Sequence, residues 1–163
     1  MTAADVDQEA RLRDLVAEQV EEGRANQGEQ SARLLFSKPM YYKEYWEYPQ
    51  SESVFSADFT EKESLSIPLT AETEVEKIRF VTRVTRDRGE ARDDTNYLRS
   101  TGIEQVSYEL RHGEWRRIGS LFVAERTEEL RDDGWEQIEE RKQVVILDDE
   151  EPTSFWQRLM FWR

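Results

Sequence analysis

The chain has 163 residues, of which 36% are charged and 37% hydrophobic, and its formal net charge is −13. This length is typical of one domain, and the charge-rich composition indicates a small core beneath a strongly solvated surface. The negative charge repels phosphate backbones, so we expect no nucleic-acid partner. Because cysteine is absent, disulfides, thiolate nucleophiles and thiolate metal sites are excluded.

The compartment is left open by the sequence. The N-terminus lacks a basic start followed by an apolar run, and no apolar run reaches the roughly 18 residues that a membrane-spanning helix needs. We expect a cytoplasmic protein if the chain is complete, and a periplasmic protein if a leader and an anchor helix have been removed.

Residues 1–35 are predicted to form an N-terminal helical segment. Apolar residues recur there at spacings of three and four, and Gly23 and Gly28 predict a break before a shorter helix that carries Leu34 and Leu35. The apolar stripe is narrow, which is typical of a helix that lies on a sheet or against a partner helix. The candidate partner-binding residues on this stripe are Leu12, Leu15, Val16 and Val20.

Residues 36–151 are predicted to form an antiparallel β domain. Strand patterns occur at residues 51–59, 64–69, 77–84 and 144–147, and a hairpin is predicted over residues 102–123 with its turn at His112-Gly113. A phase slip near Glu104-Gln105 predicts a bulge. The polar residues 86–100 are predicted to form an exposed loop.

The aromatic cluster MYYKEYWEYP begins just after Pro39 and predicts an edge strand or an ordered loop. Tyr42, Trp46 and Tyr48 would share one face of a strand. These rings either cover the core at the edge of the sheet or form a stacking platform for sugars, bases or a peptide.

Few residues offer catalytic chemistry. His112 is the only histidine and lies in a predicted turn without an orienting partner, so we assign no catalytic residue. Carboxylate clusters occur in polar segments without the spacing of a calcium-binding loop, and we assign no metal site or cofactor. If one cluster did bind calcium, Asp132-Asp133 and Asp148-Asp149 would be the better candidates because each adjoins a predicted strand end.

Residues 152–163 form an aromatic C-terminal segment that includes FWQRLMFWR. In a helix its apolar side chains would make a nearly continuous surface, which a domain rarely leaves uncovered. The segment could fold back on the domain, dock in the groove of a partner, or insert shallowly into a membrane surface. Its candidate partner-binding residues are Phe155, Trp156, Leu159, Phe161 and Trp162.

Three segments between about residues 76 and 150 resemble the soluble β domain of the type II secretion minor pseudopilins, the J class in particular. They are IRFVTR, GIEQVSYELRHGEWRRI and QVVILDD, with matching positions at Ile78, Phe80, Thr82, Val106, Tyr108, Leu110, Gly113, Trp115, Arg117 and Val145 to Leu147. The resemblance implies a helix across antiparallel sheets, no enzymatic activity, and assembly with other minor pseudopilins at the tip of a periplasmic filament. The chain departs from that family at its start, where an acidic amphipathic helix replaces a hydrophobic helix with a methylated phenylalanine.

Together these patterns predict an α+β domain in which an N-terminal amphipathic helix packs on a largely antiparallel sheet of about five to seven strands. The favoured function is non-enzymatic protein–protein assembly or an adaptor role, through a protein partner or self-association. The alternative is a β-barrel-like domain that binds a small apolar molecule or a sugar. Its aromatic-lined pocket would contain Tyr42, Trp46, Tyr48 and Trp115.

Overall fold

The computed structural model describes residues 3–51, 54–138 and 144–147, the last range by its backbone alone. One long N-terminal helix packs on an antiparallel sheet, which confirms the predicted α+β class. Seven strands are described with their side chains, and an eighth short strand is described by its backbone pairing. Within these ranges, no helix is both long and apolar enough to cross a membrane.

The two α-helices differ greatly in length: α1 spans Ala3–Ala25 and α2 spans Arg88–Asp93. The strands are β1 (Arg33–Ser37), β2 (Met40–Glu47), β3 (Phe55–Glu61), β4 (Leu69–Thr82), β5 (Tyr97–Arg111), β6 (Glu114–Arg131), β7 (Gly134–Gln137) and β8 (Val144–Leu147).

The sheet is built around three long strands, β4, β5 and β6. Its order is β1-β2-β4-β5-β6-β7, and every pairing is antiparallel. Strand β3 pairs with β4 on the same side as β2, and β8 pairs with β6 on the same side as β7. The long central strands therefore carry two short strands end to end along each flank.

The predicted hairpin is confirmed. Arg111 pairs with Glu114 across a two-residue turn, in which His112 has φ 50° and Gly113 has φ 76°. Positive φ at both positions matches the right-handed twist of the flanking strands. The predicted irregularity at Glu104-Gln105 is misplaced, because the register shifts at 101/102 and again at 107/108.

Two predictions in the N-terminal segment are wrong. Leu34 and Leu35 belong to strand β1, where they pair with Lys43 and Tyr42, and not to a second helix. Gly23 does not end α1, which continues to Ala25. The hairpin with β2 satisfies the backbone of β1, and this pairing with the next strand outweighs the helical pattern of the segment.

Three predictions further along the chain are also corrected. The aromatic strand β2 is interior, between β1 and β4, and is neither an edge strand nor a loop. Residues 64–68 are not a strand, and Leu65 is fully exposed. Residues 86–100 contain α2, which Asp87 caps by accepting from the backbone N–H groups of Gly89 and Glu90, and they also contain the start of β5.

The core lies between α1 and one face of the sheet. Alternate residues of β4 and β5 face the helix, as the period of two in a strand requires. This core cluster contains Leu12, Val16, Val20, Val54, Ala71, Val75, Val106 and Tyr108. On the opposite face, Tyr45 stacks on Phe80 at 4.5 Å between ring centroids and meets Tyr97 edge-on.

Candidate functional site

The face of the sheet that carries α1 continues beyond the helix-covered core. Arg79 lies on this face because it is four residues from Val75 in the same unbroken strand. Arg79 pairs with Ser100 of β5, and Ser100 pairs in turn with Thr127 of β6. The side chains of paired residues lie on the same face of a sheet, so all three share this face. This part of the face forms a depression of about 610 Å³, here called the large depression. Its lining residues are Ser37, Tyr42, Arg79, Val81, Thr82, Arg83, Val84, Leu98, Ser100 and Thr127.

A nearly buried ion pair borders the large depression. Arg79 Nε donates to Glu44 Oε2 at 2.6 Å, and the two side chains are only 11% and 14% exposed. Glu44 Oε1 accepts a second hydrogen bond from Trp46 Nε1 at 3.0 Å. Both carboxylate oxygens are therefore satisfied, as a charge removed from water requires.

Two hydroxyl groups lie beside Arg79 in the lining. Ser100 Oγ and Thr127 Oγ1 are 3.0 Å apart, and both side chains are buried. Since one hydroxyl donates to the other, the accepting hydroxyl retains its own hydrogen for a further bond. The neighbouring wall is apolar and consists of Val81, Leu98 and Val84.

The rim of the large depression carries a second ion pair. Arg83 Nη2 donates to Glu129 Oε1 at 3.1 Å, and the Arg83 side chain is 65% exposed. An exposed pair of this kind is screened by water and salt and contributes little to stability. It marks the boundary between the large depression and solvent.

The four rings predicted to line one pocket lie at three separate places. Tyr42 lines the large depression, whereas Trp46 and Tyr48 line a smaller depression of about 260 Å³ near the end of α1. Lys77 Nζ lies 5.3 Å from the Trp46 ring centroid and 5.4 Å from that of Tyr48. Trp115 packs against the core and donates to the Gln8 carbonyl oxygen at 2.8 Å. The structure therefore does not bring the four rings together in one depression.

The predicted partner-binding stripe faces the protein's own sheet. Leu12, Val16 and Val20 are buried, and Leu15 packs against the same core. A partner could contact Leu12, Val16 and Val20 only if α1 left the sheet, whereas Leu15 is partly exposed. The other candidate residues, Phe155, Trp156, Leu159, Phe161 and Trp162, lie outside the described residues.

Tyr45, Tyr108 and Asp93, whose pKa values are shifted, lie away from the large depression. Burial, followed by the nearby Glu47 charge, raises the pKa of Tyr45 to about 12. Burial is also the main cause that raises the pKa of Tyr108, and a hydrogen bond from Arg92 lowers the pKa of Asp93 at the surface. None of these groups lines the large depression.

The described residues contain no group of three or more His, Asp or Glu side chains placed to hold a metal ion. Asp132 and Asp133 lie in the turn between β6 and β7, and Asp148-Asp149 fall outside the described ranges.

Sequence reasoning missed Arg79, Ser100 and Thr127 as site residues. A usable signal was present in β4, where Ala71, Val75 and Val81 alternate in phase with Arg79. A charged residue at an inward position of such a strand needs a buried partner or lines a cavity. Its partner Glu44 is 35 residues away in sequence, so the pairing itself becomes visible only in the structure.

Comparisons of the sequence with protein-family models, with curated proteins and with solved structures found no match in any of the three.

Proposed function

We propose that this domain binds small, largely apolar molecules in the large depression without catalysing a reaction on them. The observation that carries the proposal is the 610 Å³ concavity on the part of the helix-bearing face that α1 does not cover. Its volume falls within the range of about 300–1,000 Å³ that is typical of ligand sites. Three of the ten lining residues, Val81, Val84 and Leu98, form an apolar wall, and the others carry polar groups of the kind that orient a ligand in such sites.

A titration with decanol tests this proposal. We expect saturable one-to-one binding to the full chain by calorimetry, because the alkyl chain would leave water for the apolar wall. Val84→Asp should weaken binding about tenfold or more, since a carboxylate on the wall loses hydration when the ligand enters. Val84 is 57% exposed, so the substitution should leave the fold intact.

Leu65→Asp provides the matched control, because it introduces the same charge at another exposed apolar position. It lies outside the large depression and should leave decanol binding unchanged. Absence of saturable binding, or equal affinity of the two variants and the unchanged chain, would contradict the proposal.

A second candidate function is protein–protein assembly, including the pseudopilin-like assembly that the resemblance implies. Three exposed large apolar side chains favour it: Phe36, Val84 and Leu130 are 58%, 57% and 55% exposed. All three lie toward the same end of the sheet: Phe36 is near the β1–β2 turn, Val84 follows β4, and Leu130 is near the β6–β7 turn. Interaction surfaces are commonly marked by exposed apolar side chains, so this end of the sheet is where we expect a partner to dock.

Light scattering on the full chain tests assembly, with and without lipid vesicles. We expect self-association or vesicle binding that is lost in a variant with Phe36 and Leu130 changed to serine, because these are exposed apolar side chains on which the proposal rests. A second variant, with Phe155, Trp156, Phe161 and Trp162 changed to serine, tests the C-terminal segment separately. A monomeric unchanged chain that does not bind vesicles, or unchanged behaviour of both variants, would contradict assembly of the chain with itself and its attachment to membranes.

A further inference from the structure

The lining of the large depression is rich in hydrogen-bond donors. We propose, on the basis of the proposed function, that the preferred ligand is a small molecule whose apolar chain ends in a carboxylate. The carboxylate would bind at Arg79 and the Ser100–Thr127 hydroxyl pair, and the chain would lie against Val81 and Leu98.

Arg79 has unused donor capacity. A guanidinium carries five N–H groups, and within the described part of the chain only the one on Nε donates a hydrogen bond. Arg79 lines the large depression although its side chain is only 11% exposed. The terminal N–H groups of a fixed, largely desolvated guanidinium match the two oxygens of a carboxylate.

The hydroxyl pair supplies a further donor next to Arg79. Ser100 and Thr127 share one hydrogen bond between their hydroxyl groups, so only one of the two hydroxyl hydrogens has an acceptor within the pair. Both side chains are held by opposite positions of β5 and β6, so the donor is pre-organised by the sheet. A ligand oxygen would satisfy it at little cost in entropy.

The charges around the site permit an anion. Glu44 offsets the charge of Arg79, but its two oxygens are occupied by Arg79 and Trp46 and are not available to a ligand. At the rim, Glu129 is likewise paired with Arg83. Recognition therefore rests on donors of fixed direction, for which a carboxylate is a better acceptor than a hydroxyl group.

Calorimetric titrations of the full chain with decanoate, decanol and decyltrimethylammonium test the inference, because the three probes share one alkyl chain. We expect decanoate to bind about tenfold or more tightly than decanol, as charge-assisted hydrogen bonds would add to the same apolar contact. Decyltrimethylammonium should bind more weakly than decanol, because its cation would meet the Arg79 guanidinium.

Two variants assign the preference to the proposed residues. The double variant Glu44→Gln with Arg79→Gln removes both charges together, so no buried charge remains unpaired. It should reduce decanoate affinity to that of decanol and leave decanol affinity unchanged. Ser100→Ala with Thr127→Val removes both hydroxyls with little change of shape. This variant should weaken the binding of decanoate at least about threefold and leave the affinity for decanol unchanged. If the first variant does not fold, the second still tests the inference.

The outcomes separate this inference from the proposed function. Equal binding of decanoate and decanol would overturn the carboxylate preference and leave the ligand site standing. Retention of the decanoate preference in both double variants would also overturn it. Failure of all three probes to bind saturably would overturn the proposed function itself.

Discussion

Gly102 lies in β5 at a position where an added side chain would meet the backbone of β6. It is buried at the first register shift, and a β carbon at this position would overlap the carbonyl oxygen of Val123. We expect Gly102→Ala to lower the free energy of unfolding by about 1–3 kcal/mol, because backbone atoms on both strands would have to move. Chemical denaturation monitored by circular dichroism measures this loss.

Gly89→Ala is the control for this substitution. The nearest atom to its added β carbon would be Asp87 Oδ1 at 3.4 Å, which is an ordinary contact. Because Gly89 is helical, the substitution should be neutral or stabilise the protein by up to about 1 kcal/mol. Equal destabilisation by both substitutions would contradict the close approach at Gly102.

Tyr45 provides a prediction about alkaline pH. Burial raises its pKa from 10.0 to about 12, so the folded protein retains the phenol proton where the unfolded chain releases it. The proton held by Tyr45 therefore stabilises the folded protein fully below pH 10, and this contribution to the unfolding free energy is lost as the pH rises from about 10 to 12. We expect Tyr45→Phe to remove this part of the alkaline destabilisation, measured as unfolding free energy across that pH range. An unchanged pH dependence would show that Tyr45 does not ionise as described.

Individual residues differ in how far the sequence reveals their roles. The glycine in His112-Gly113 predicts a turn without reference to any distant residue, and the structure has the turn there. Arg79 could be recognised as an inward-facing charge, but its partner Glu44 comes from another strand. A role that depends on a long-range partner cannot be read from local pattern.

Helix α1 shows the same distinction for whole elements. Its period of three and four predicts the buried side chains Leu12, Val16 and Val20, and the structure buries all three. By contrast, β1 carries a pattern that is equally compatible with a helix, and its pairing with β2 decides its conformation. Short elements that depend on neighbours are therefore the ones that sequence reasoning misassigned.

A pair of substitutions tests how α1 is held. Leu12 is fully buried between α1 and the sheet, whereas Val6 on the same helix is 53% exposed. We expect Leu12→Ala to cost about 2–5 kcal/mol of unfolding free energy through lost burial and the cavity left behind. Val6→Ala should change it by less than about 0.5 kcal/mol. Similar small effects at both positions would mean that α1 does not pack on the sheet as described.

At the scale of the whole molecule, the sheet is longer than the surface that its helix covers. The core residues of β4 end near Val75, while the strand continues to Thr82. The fold class could be predicted from one helical pattern that is followed by a run of strand patterns. The large depression could not, because it arises from where α1 stops relative to three long strands, and no local pattern records that distance.

The most direct test of the ligand site is a titration of the isotope-labelled full chain with decanoate, followed by amide chemical shifts. We predict that the largest changes occur at residues 79, 81–84, 98, 100 and 127, which line the large depression. Changes concentrated around Tyr45 and Phe80 on the opposite face, or no saturable changes at all, would contradict the account.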